Sequence, residues 1–286
     1  MMRRRDRKLA IAIPVSVVSD IPHLREKTLK IGLIGRAAAI FRVNEIVVFP
    51  DVLGADQKRD MHLIATLLSY VETPQYLRKR LFKIKPELRY AGILPPLRTP
   101  HHPLESRARK LKTGEYREGA VVSVTDSGSL VDIGVERPVL VKDQKLPVNR
   151  RVTIEITKAG KHPRVSLADR KEIEAYWGYT VTPSKVSFGQ LTKAGTYDLV
   201  IATSKMGAPW MQVADELTER WKKAENVLVA FGAPTQGLQE IAAQENLSLD
   251  RVADFTVNTI PVQGTETVRT EEALYASLAL LNMVCN

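Results

Sequence analysis

The sequence of 286 residues contains a single cysteine, Cys285, which excludes a disulfide scaffold, a CxxC zinc site and a cysteine-ligated iron–sulfur cluster. This cysteine usage is typical of a reducing compartment, and we expect a cytoplasmic protein. No apolar run approaches the roughly 18 residues that suggest a membrane-spanning helix, so no membrane association is expected. The motifs GxGxxG, GxxxxGK[ST] and HExxH are also absent, which removes support for a dinucleotide, triphosphate or zinc site.

Histidines are few and do not lie near cysteines or carboxylates at metal-ligand spacing. His101 and His102 are adjacent in a basic, proline-rich stretch, and we expect this pair to be solvated or to face RNA. No metal is therefore predicted.

Positive charge is in excess, with 42 Lys and Arg against 32 Asp and Glu, a formal charge of +10. Residues 1–172 are net basic and residues 173–286 net acidic, which favours a polyanion-binding face in the first part, with RNA or DNA as the partner. A solvated surface remains the alternative. The candidates for RNA contact are Arg78, Lys79, Arg80, Lys83, Arg98, Arg109, Lys110 and Lys112.

Apolar patterning predicts strands alternating with helices in the first seventy residues. Leu9–Pro14 and Glu45–Phe49 have the length and composition of buried strands, and 24–41 and 56–71 have helical periodicity. This order predicts parallel βα units. The basic residues before Leu9 resemble the start of a secretory signal, but Pro14 and the lack of an Ala-x-Ala site favour a buried first strand.

The middle of the chain has a different texture. About five short alternating strands are predicted over 113–169, a number and size typical of a small OB-type barrel, which either contacts RNA or spaces other parts. Buried strands return at 197–203, 226–231 and 254–259, followed by a helix over 270–282. The sequence thus predicts an α/β domain interrupted by a β-barrel.

Three loops follow strand ends in the last third of the chain, at 202–209, 231–238 and 260–269. Open parallel sheets bind ligands at such ends. Glycines 232, 237 and 264 permit tight turns and close approach of backbone to a ligand, although plain turns explain them equally well.

These segments together resemble the SPOUT class of methyltransferases. The resemblance is carried by FGAPTQGL (231–238), by 258–264, and by RTEEA (269–273) at the start of the last helix. IGLIGRAAAIFRVNEIVVF (31–49) resembles that class's first motif, with Arg36 in place and Arg42 where glycine is usual. The chain is similar to the archaeal and eukaryotic SPOUT subfamily in which an OB-like domain is inserted. The domains expected are a discontinuous methyltransferase domain over 1–98 and 173–286 and an OB-like β-barrel with its linkers over 99–172.

The resemblance implies an α/β fold with a knotted parallel sheet, a homodimer, and S-adenosylmethionine as cofactor, with S-adenosylhomocysteine as product. The residues it implies for the cofactor are Thr203, Phe231, Gly232, Gly237, Ile260, Pro261, Gly264, Thr265 and Val268. The catalytic candidates are Arg36, Glu266 and Arg269, where Arg36 of one subunit reaches the partner's cofactor. For Arg36 a phosphate-positioning role is the alternative, and Glu266 and Arg269 could instead pair with each other.

The function implied is methylation of RNA, expected to be ribosomal, at a uridine base nitrogen or a ribose 2′-oxygen. The alternative is a non-catalytic RNA-binding or ribosome-assembly factor that retains the fold. The apolar side chains of Leu274, Leu278 and Leu281 fit either a dimer interface or the core.

Overall fold

The computed structural model describes residues 3–285. Within that range the α-helices are α1 (Leu24–Ile40), α2 (Lys58–Glu72), α3 (Gln75–Leu81), α4 (Phe188–Lys193), α5 (Trp210–Lys223), α6 (Leu238–Gln244) and α7 (Thr270–Val284). The first and last groups of strands are β1 (Lys8–Pro14), β2 (Glu45–Phe49), β8 (Thr180–Pro183), β9 (Leu199–Pro209), β10 (Asn226–Ala230) and β11 (Phe255–Asn258). Between them lie β3 (Tyr116–Thr125), β4 (Gly128–Asp132), β5 (Val139–Lys142), β6 (Arg151–Lys158) and β7 (Arg164–Leu167).

The described chain forms two compact units. The parallel unit comprises residues 5–69, 87–96 and 179–285, and the antiparallel unit comprises residues 3–4, 70–86 and 97–178. Residues 70–86 thus pack with the antiparallel sheet, whereas the boundary predicted from the sequence lies between residues 98 and 99. One hydrogen bond that holds residues 70–86 against this sheet is donated by the Tyr76 hydroxyl to the Glu118 carbonyl, 2.8 Å away.

The parallel unit is built on a six-stranded sheet in the order β11-β9-β10-β1-β2-β8, in which every pair is parallel. β1 lies inside it, with Ile11 opposite Val229 of β10 on one side and Ile46 of β2 on the other. Residues 9–14 are buried, as expected for a strand covered on both faces. The predicted buried first strand and parallel sheet are confirmed.

Arg42, at the end of α1, occupies a position where the SPOUT class usually has glycine. Arg42 follows the helix with φ of 57°, the left-handed conformation that glycine adopts most easily. Its Nη2 donates to Asn282 Oδ1 at 3.0 Å, and Arg5 Nη2 donates to the same oxygen at 2.9 Å. Phe41 packs edge-on against Tyr275, so α1 and α7 are held together at this point.

The antiparallel unit contains a five-stranded sheet in the order β5-β4-β3-β6-β7. All its pairs are antiparallel, which confirms the change of texture predicted from the alternating pattern. Apolar side chains from the strands and the segments beside them form its core: Leu111, Val121, Val131, Ile133, Val139, Val141, Leu146, Ile154 and Ile156.

A buried polar network ties residues 70–86 and the segment after residue 97 to this sheet. Arg151 donates two bonds to the Glu72 carboxylate, at 2.6 and 3.1 Å, and also bonds Glu118. Trp177 Nε1 donates to Glu118 Oε1 at 2.7 Å. Burial opposes ionisation of Glu72, but Arg151 and His101 outweigh it and hold the pKa of that carboxyl well below its usual range.

The expectation of a solvated or RNA-facing histidine pair is wrong for His101. This side chain is fully buried, and its Nε2 lies 3.2 Å from Glu72 Oε1. His102 is partly buried, with Nε2 2.7 Å from the Glu72 carbonyl oxygen. Burial, and then the neighbouring His101, lower the pKa of His102 to about 4. The pair serves the packing of the antiparallel unit.

The apolar face of α7 is also settled by burial. Leu274, Leu278 and Leu281 are at most 1% exposed, so they pack in the core of the chain itself. Among the described residues no helix is long and apolar enough to cross a membrane.

Candidate functional site

A cleft of about 310 Å³ opens at the carboxyl ends of β9, β10 and β11. Its walls come from residues 203–206 of β9, from the loops that follow β10 and β11, and from the first turns of α6 and α7. The loop predicted over 202–209 is therefore wrong as a loop, because these residues belong to the long strand β9 and only bulge away from β11. Because the strands are parallel and adjacent, their carboxyl ends meet at one edge, where open α/β sheets bind ligands. The volume is at the lower end of the range for small-molecule sites, about 300–1,000 Å³.

The first wall is a segment that leaves the sheet. Pairing of β11 with β9 shifts register after Thr256, which lies opposite Ala202, while Val257 lies opposite Ala208. The intervening residues of β9 therefore stand out of the ladder and line the cleft. Asn258 holds this segment, since its Nδ2 donates to the Lys205 carbonyl at 2.9 Å.

The second wall is the tight loop after β10. Ala233 N–H donates to the Gln236 carbonyl at 2.8 Å, which closes the loop on itself. A Cβ on Gly232 would lie only 3.0 Å from the Gly237 Cα, so any larger residue at 232 would crowd the loop backbone. Residues 231–237 of this compact loop line the cleft.

The third wall joins β11 to α7. Asn258 Oδ1 accepts from the Ile260 N–H at 3.0 Å, and Gln263 Nε2 donates to the carbonyls of Thr265 and Glu266. The Thr270 hydroxyl then donates to the Gly232 carbonyl at 2.9 Å, which fastens the start of α7 to the second wall. Hydrogen bonds thereby join the three walls of the cleft.

The structure brings most of the predicted cofactor residues together. Those that line the cleft are Thr203, Phe231, Gly232, Gly237, Ile260 and Val268. Pro261, Gly264 and Thr265 belong to the third loop but are exposed and do not line the cleft. Cofactor contact by all nine stays a prediction.

Sequence reasoning missed the two charged side chains of the lining, Lys205 and Glu240. Lys205 lies on the part of β9 that does not pair with β11, and Glu240 lies in the first turn of α6. The remaining lining residues are uncharged, so the cleft carries one positive and one negative group among polar backbone and apolar walls.

The predicted catalytic residues lie outside the cleft lining. Arg36 is on α1, where its Nη1 donates to the Pro96 carbonyl at 2.9 Å. Glu266 and Arg269 are exposed on the third loop, and the ion pairs within residues 3–285 do not include one between them. Arg269 is instead the N-cap of α7, with its N–H bonded to Glu272 Oε2 at 2.9 Å.

Most of the predicted RNA-binding side chains are exposed: Lys79, Arg80, Lys83, Arg98, Arg109, Lys110 and Lys112. Arg78 differs, because its guanidinium donates to the carbonyls of Thr73 and Val71 and lies over the Tyr70 ring. Lys110 is partly neutralised by Glu105 at 3.3 Å.

No group of three or more His, Cys, Asp or Glu suited to a metal ion occurs in the part of the chain that the structure describes. Cys285 is buried, and burial raises the pKa of its thiol to about 11, so the thiol stays protonated at neutral pH.

Comparison with known proteins shows the family to which this chain belongs. A family model described as "Putative RNA methyltransferase" matches residues 8–281. The 28S rRNA (uridine-N(3))-methyltransferase of Mus musculus is 36% identical over 304 residues, 96% of this chain and 75% of the relative. The human protein of the same name is 35% identical over 311 residues, 98% and 79% of the two chains. An uncharacterized protein of Haloarcula marismortui is 33% identical, with 96% and 98% covered. The matched range covers most of both units of the fold, and the chain belongs to this family of RNA methyltransferases.

Proposed function

We propose that this protein transfers a methyl group from S-adenosylmethionine to the N3 nitrogen of a uridine in large-subunit ribosomal RNA. The observation that carries the proposal is the cleft, whose three walls are joined by hydrogen bonds at one edge of the sheet. Relatives of this chain are named for the same reaction. The relatives' names favour the base nitrogen over the ribose 2′-oxygen.

The chemistry of the cleft suits S-adenosylmethionine. Phe231, Ile260 and Val268 supply apolar walls for an adenine, and the glycine loop at 232–237 supplies backbone groups for its edge. The methionine part of this cofactor carries a carboxylate and an ammonium. Lys205 and Glu240 are complementary to these two charges.

Bound S-adenosylmethionine supplies an activated methyl group. As the N3–carbon bond forms and the carbon–sulfur bond breaks, the N3 proton leaves the uracil. The protein's task is therefore to align N3 and to receive that proton. We assign these roles to the residues implied by the resemblance: Glu266 for the proton, Arg269 for orientation of the uridine, and Arg36 for negative charge that develops on it.

The position of Arg36 supports a homodimer, because this side chain does not line the cleft of its own chain. The interface cannot use the buried leucines of α7. Leu29 and Ile40 of α1 and Met283 of α7 are 46%, 47% and 80% exposed, and they are the apolar surface we propose for it.

The finer architecture is part of the same proposal. The order β11-β9-β10, and the bond from α7 to the loop after β10, support a knotted SPOUT domain over 1–98 and 173–286. The five-stranded antiparallel sheet supports an OB-like barrel within 99–172. A cytoplasmic location remains a proposal from the single cysteine.

Calorimetric titration with S-adenosylmethionine and S-adenosylhomocysteine tests the site. We expect one site per chain, and a loss of about five- to tenfold in affinity, about 1–1.4 kcal/mol, for Lys205→Gln and for Glu240→Gln. Glu216→Gln, on the exposed face of α5, is the matched control and should bind normally. No binding to either compound would refute the cofactor assignment.

The acceptor is tested by incubating the protein with large-subunit ribosomal RNA and labelled S-adenosylmethionine. Nucleosides from the digested RNA are then separated by chromatography against authentic standards, and fragmentation of each labelled nucleoside shows whether the methyl group is on the base or the ribose. Labelled 3-methyluridine supports the proposal, and labelled 2′-O-methyluridine contradicts the acceptor. Tight cofactor binding without methylation of any RNA supports the non-catalytic factor instead.

A further inference from the structure

The antiparallel unit contains a groove of about 920 Å³ that the cofactor site does not use. It lies between the turn at 107–109, the connection from β4 to β5 and the connection from β6 to β7. We propose that this groove binds a single-stranded segment of the RNA substrate, an inference that rests on the proposed function.

Charge is the first reason. Arg107, Arg109, Arg137 and Lys161 line the groove, all four are exposed, and none takes part in an ion pair of the described residues. The one acidic lining residue is Glu136, whose Oε2 accepts from the Ala108 N–H at 2.8 Å. Its negative charge acts on Arg107 and Arg109, and four cations against one carboxylate still leave the groove net positive, as is typical of a polyanion-binding surface.

Several other cations of the same unit pair with carboxylates, whereas exposed ones that form no ion pair in the described chain, such as Lys145 and Arg150, do not line the groove. Arg117 and Lys110 pair with nearby glutamates, and Arg151 and Arg170 bond carboxylates inside the unit. Those four cations stabilise the fold itself. The groove cations come from three separate connections, and the fold alone gives no reason for their convergence.

The apolar floor of the groove favours single-stranded over double-stranded RNA as the ligand. It is apolar, formed by Leu130, Val139 and Leu140 with Pro138 and Pro163. An RNA duplex presents phosphates and hydroxyls and has no use for such a floor, whereas an unstacked base can lie on it. His162 and the arginine planes of the rim are suited to stack on that base.

Anisotropy of a labelled, unstructured oligouridylate measures the binding. The variant Arg137→Gln/Lys161→Gln removes two exposed cations that form no ion pair within residues 3–285, so it should fold normally. The matched control, Lys145→Gln/Arg150→Gln, removes one lysine and one arginine that are exposed on the same unit outside the groove. Calorimetry with S-adenosylmethionine on both variants checks the cofactor site separately.

We expect the slope of log affinity against log salt to fall in magnitude by about 1.4 in the groove variant, about 0.7 for each phosphate that the variant no longer neutralises. Its affinity relative to the unchanged protein then differs about sevenfold between about 50 and 200 mM salt. The control should keep the original slope, and both variants should bind the cofactor normally.

Three results would overturn the groove assignment while leaving the methyltransferase proposal intact. They are equal losses in the groove variant and the control, an unchanged slope in the groove variant, and equal affinity for a duplex of the same length. Failure of the unchanged protein to bind the cofactor would instead count against the proposed function.

Discussion

Replacing Gly232 with alanine probes the loop that closes the cofactor cleft. The added Cβ would lie 3.0 Å from the Gly237 Cα and 3.2 Å from the Gln236 carbonyl oxygen and the Leu238 nitrogen. All three are backbone atoms, so the loop must move by a few tenths of an ångström. Overpacking of this kind costs about 1–3 kcal/mol.

This cost must appear in one of two measurements. If the loop keeps its shape, the free energy of unfolding falls; if it relaxes, the backbone groups that face the ligand are displaced and cofactor affinity falls. Assigned wholly to binding, about 1–3 kcal/mol is a loss of about 5- to 150-fold. Calorimetry with S-adenosylhomocysteine and urea unfolding of the same variant give the two parts.

The matched control is Gly92→Ala, which lies outside the cleft and where nothing lies within 4 Å of an added Cβ. It should bind and unfold like the unchanged protein. A change of less than about 1 kcal/mol in both quantities for Gly232→Ala would refute the overpacking of the loop. A larger loss in Gly92→Ala than in Gly232→Ala would refute it as well.

Three predictions concern stability. The pKa of His102 is lowered to about 4 from 6.5, so the folded chain resists its protonation; stability is full above pH 6.5 and declines by about 3 kcal/mol as pH falls to 4. His102→Gln should flatten that part of the pH profile in urea unfolding, and a profile parallel to the original would contradict the assignment. Arg42→Gly should change the free energy of unfolding by less than about 1 kcal/mol, because glycine relieves the backbone strain at φ of 57° and this offsets the loss of the hydrogen bond to Asn282. Arg42→Val keeps the strain and loses the bond, so it should cost about 2 kcal/mol. Equal effects of the two substitutions would refute the backbone argument. Arg151→Met leaves the buried Glu72 carboxylate with His101 but without its arginine, and it should cost about 3–5 kcal/mol by chemical denaturation, part of which Glu72→Gln should restore. A loss below about 1 kcal/mol would mean that the network contributes little.

Local patterning determined the regular elements whose apolar side chains are buried on all sides. Glu45–Phe49 is a strand with the predicted ends, and the helix predicted over 24–41 ends one residue earlier. A run of β-branched residues, or a 3.6-residue apolar period, is a property of the chain itself and survives without knowledge of partners. The glycine loops after the last strands are predictable for the same reason, since tight turns need particular residues.

Elements that depend on a neighbour escape such patterning. β8 (Thr180–Pro183) is mostly exposed and ends in proline, and only its pairing with β2 at the sheet edge makes it a strand. Its sequence has no apolar alternation to detect. Residues 70–86 carry many charges, yet Glu72 is buried because Arg151, distant in sequence, pairs with it.

The sequence by itself determined the division into α/β and antiparallel parts, the parallel βα order and the positions of the two loops after β10 and β11. Only the tertiary structure decided which side chains line the cleft between those loops. Lys205 and Glu240 lie on different segments and reach one cleft through the register shift in β9 and the first turn of α6. His101 looks exposed beside prolines but is buried against Glu72. Backbone preferences act over a few residues, whereas charge pairing and burial depend on distances that the fold alone sets.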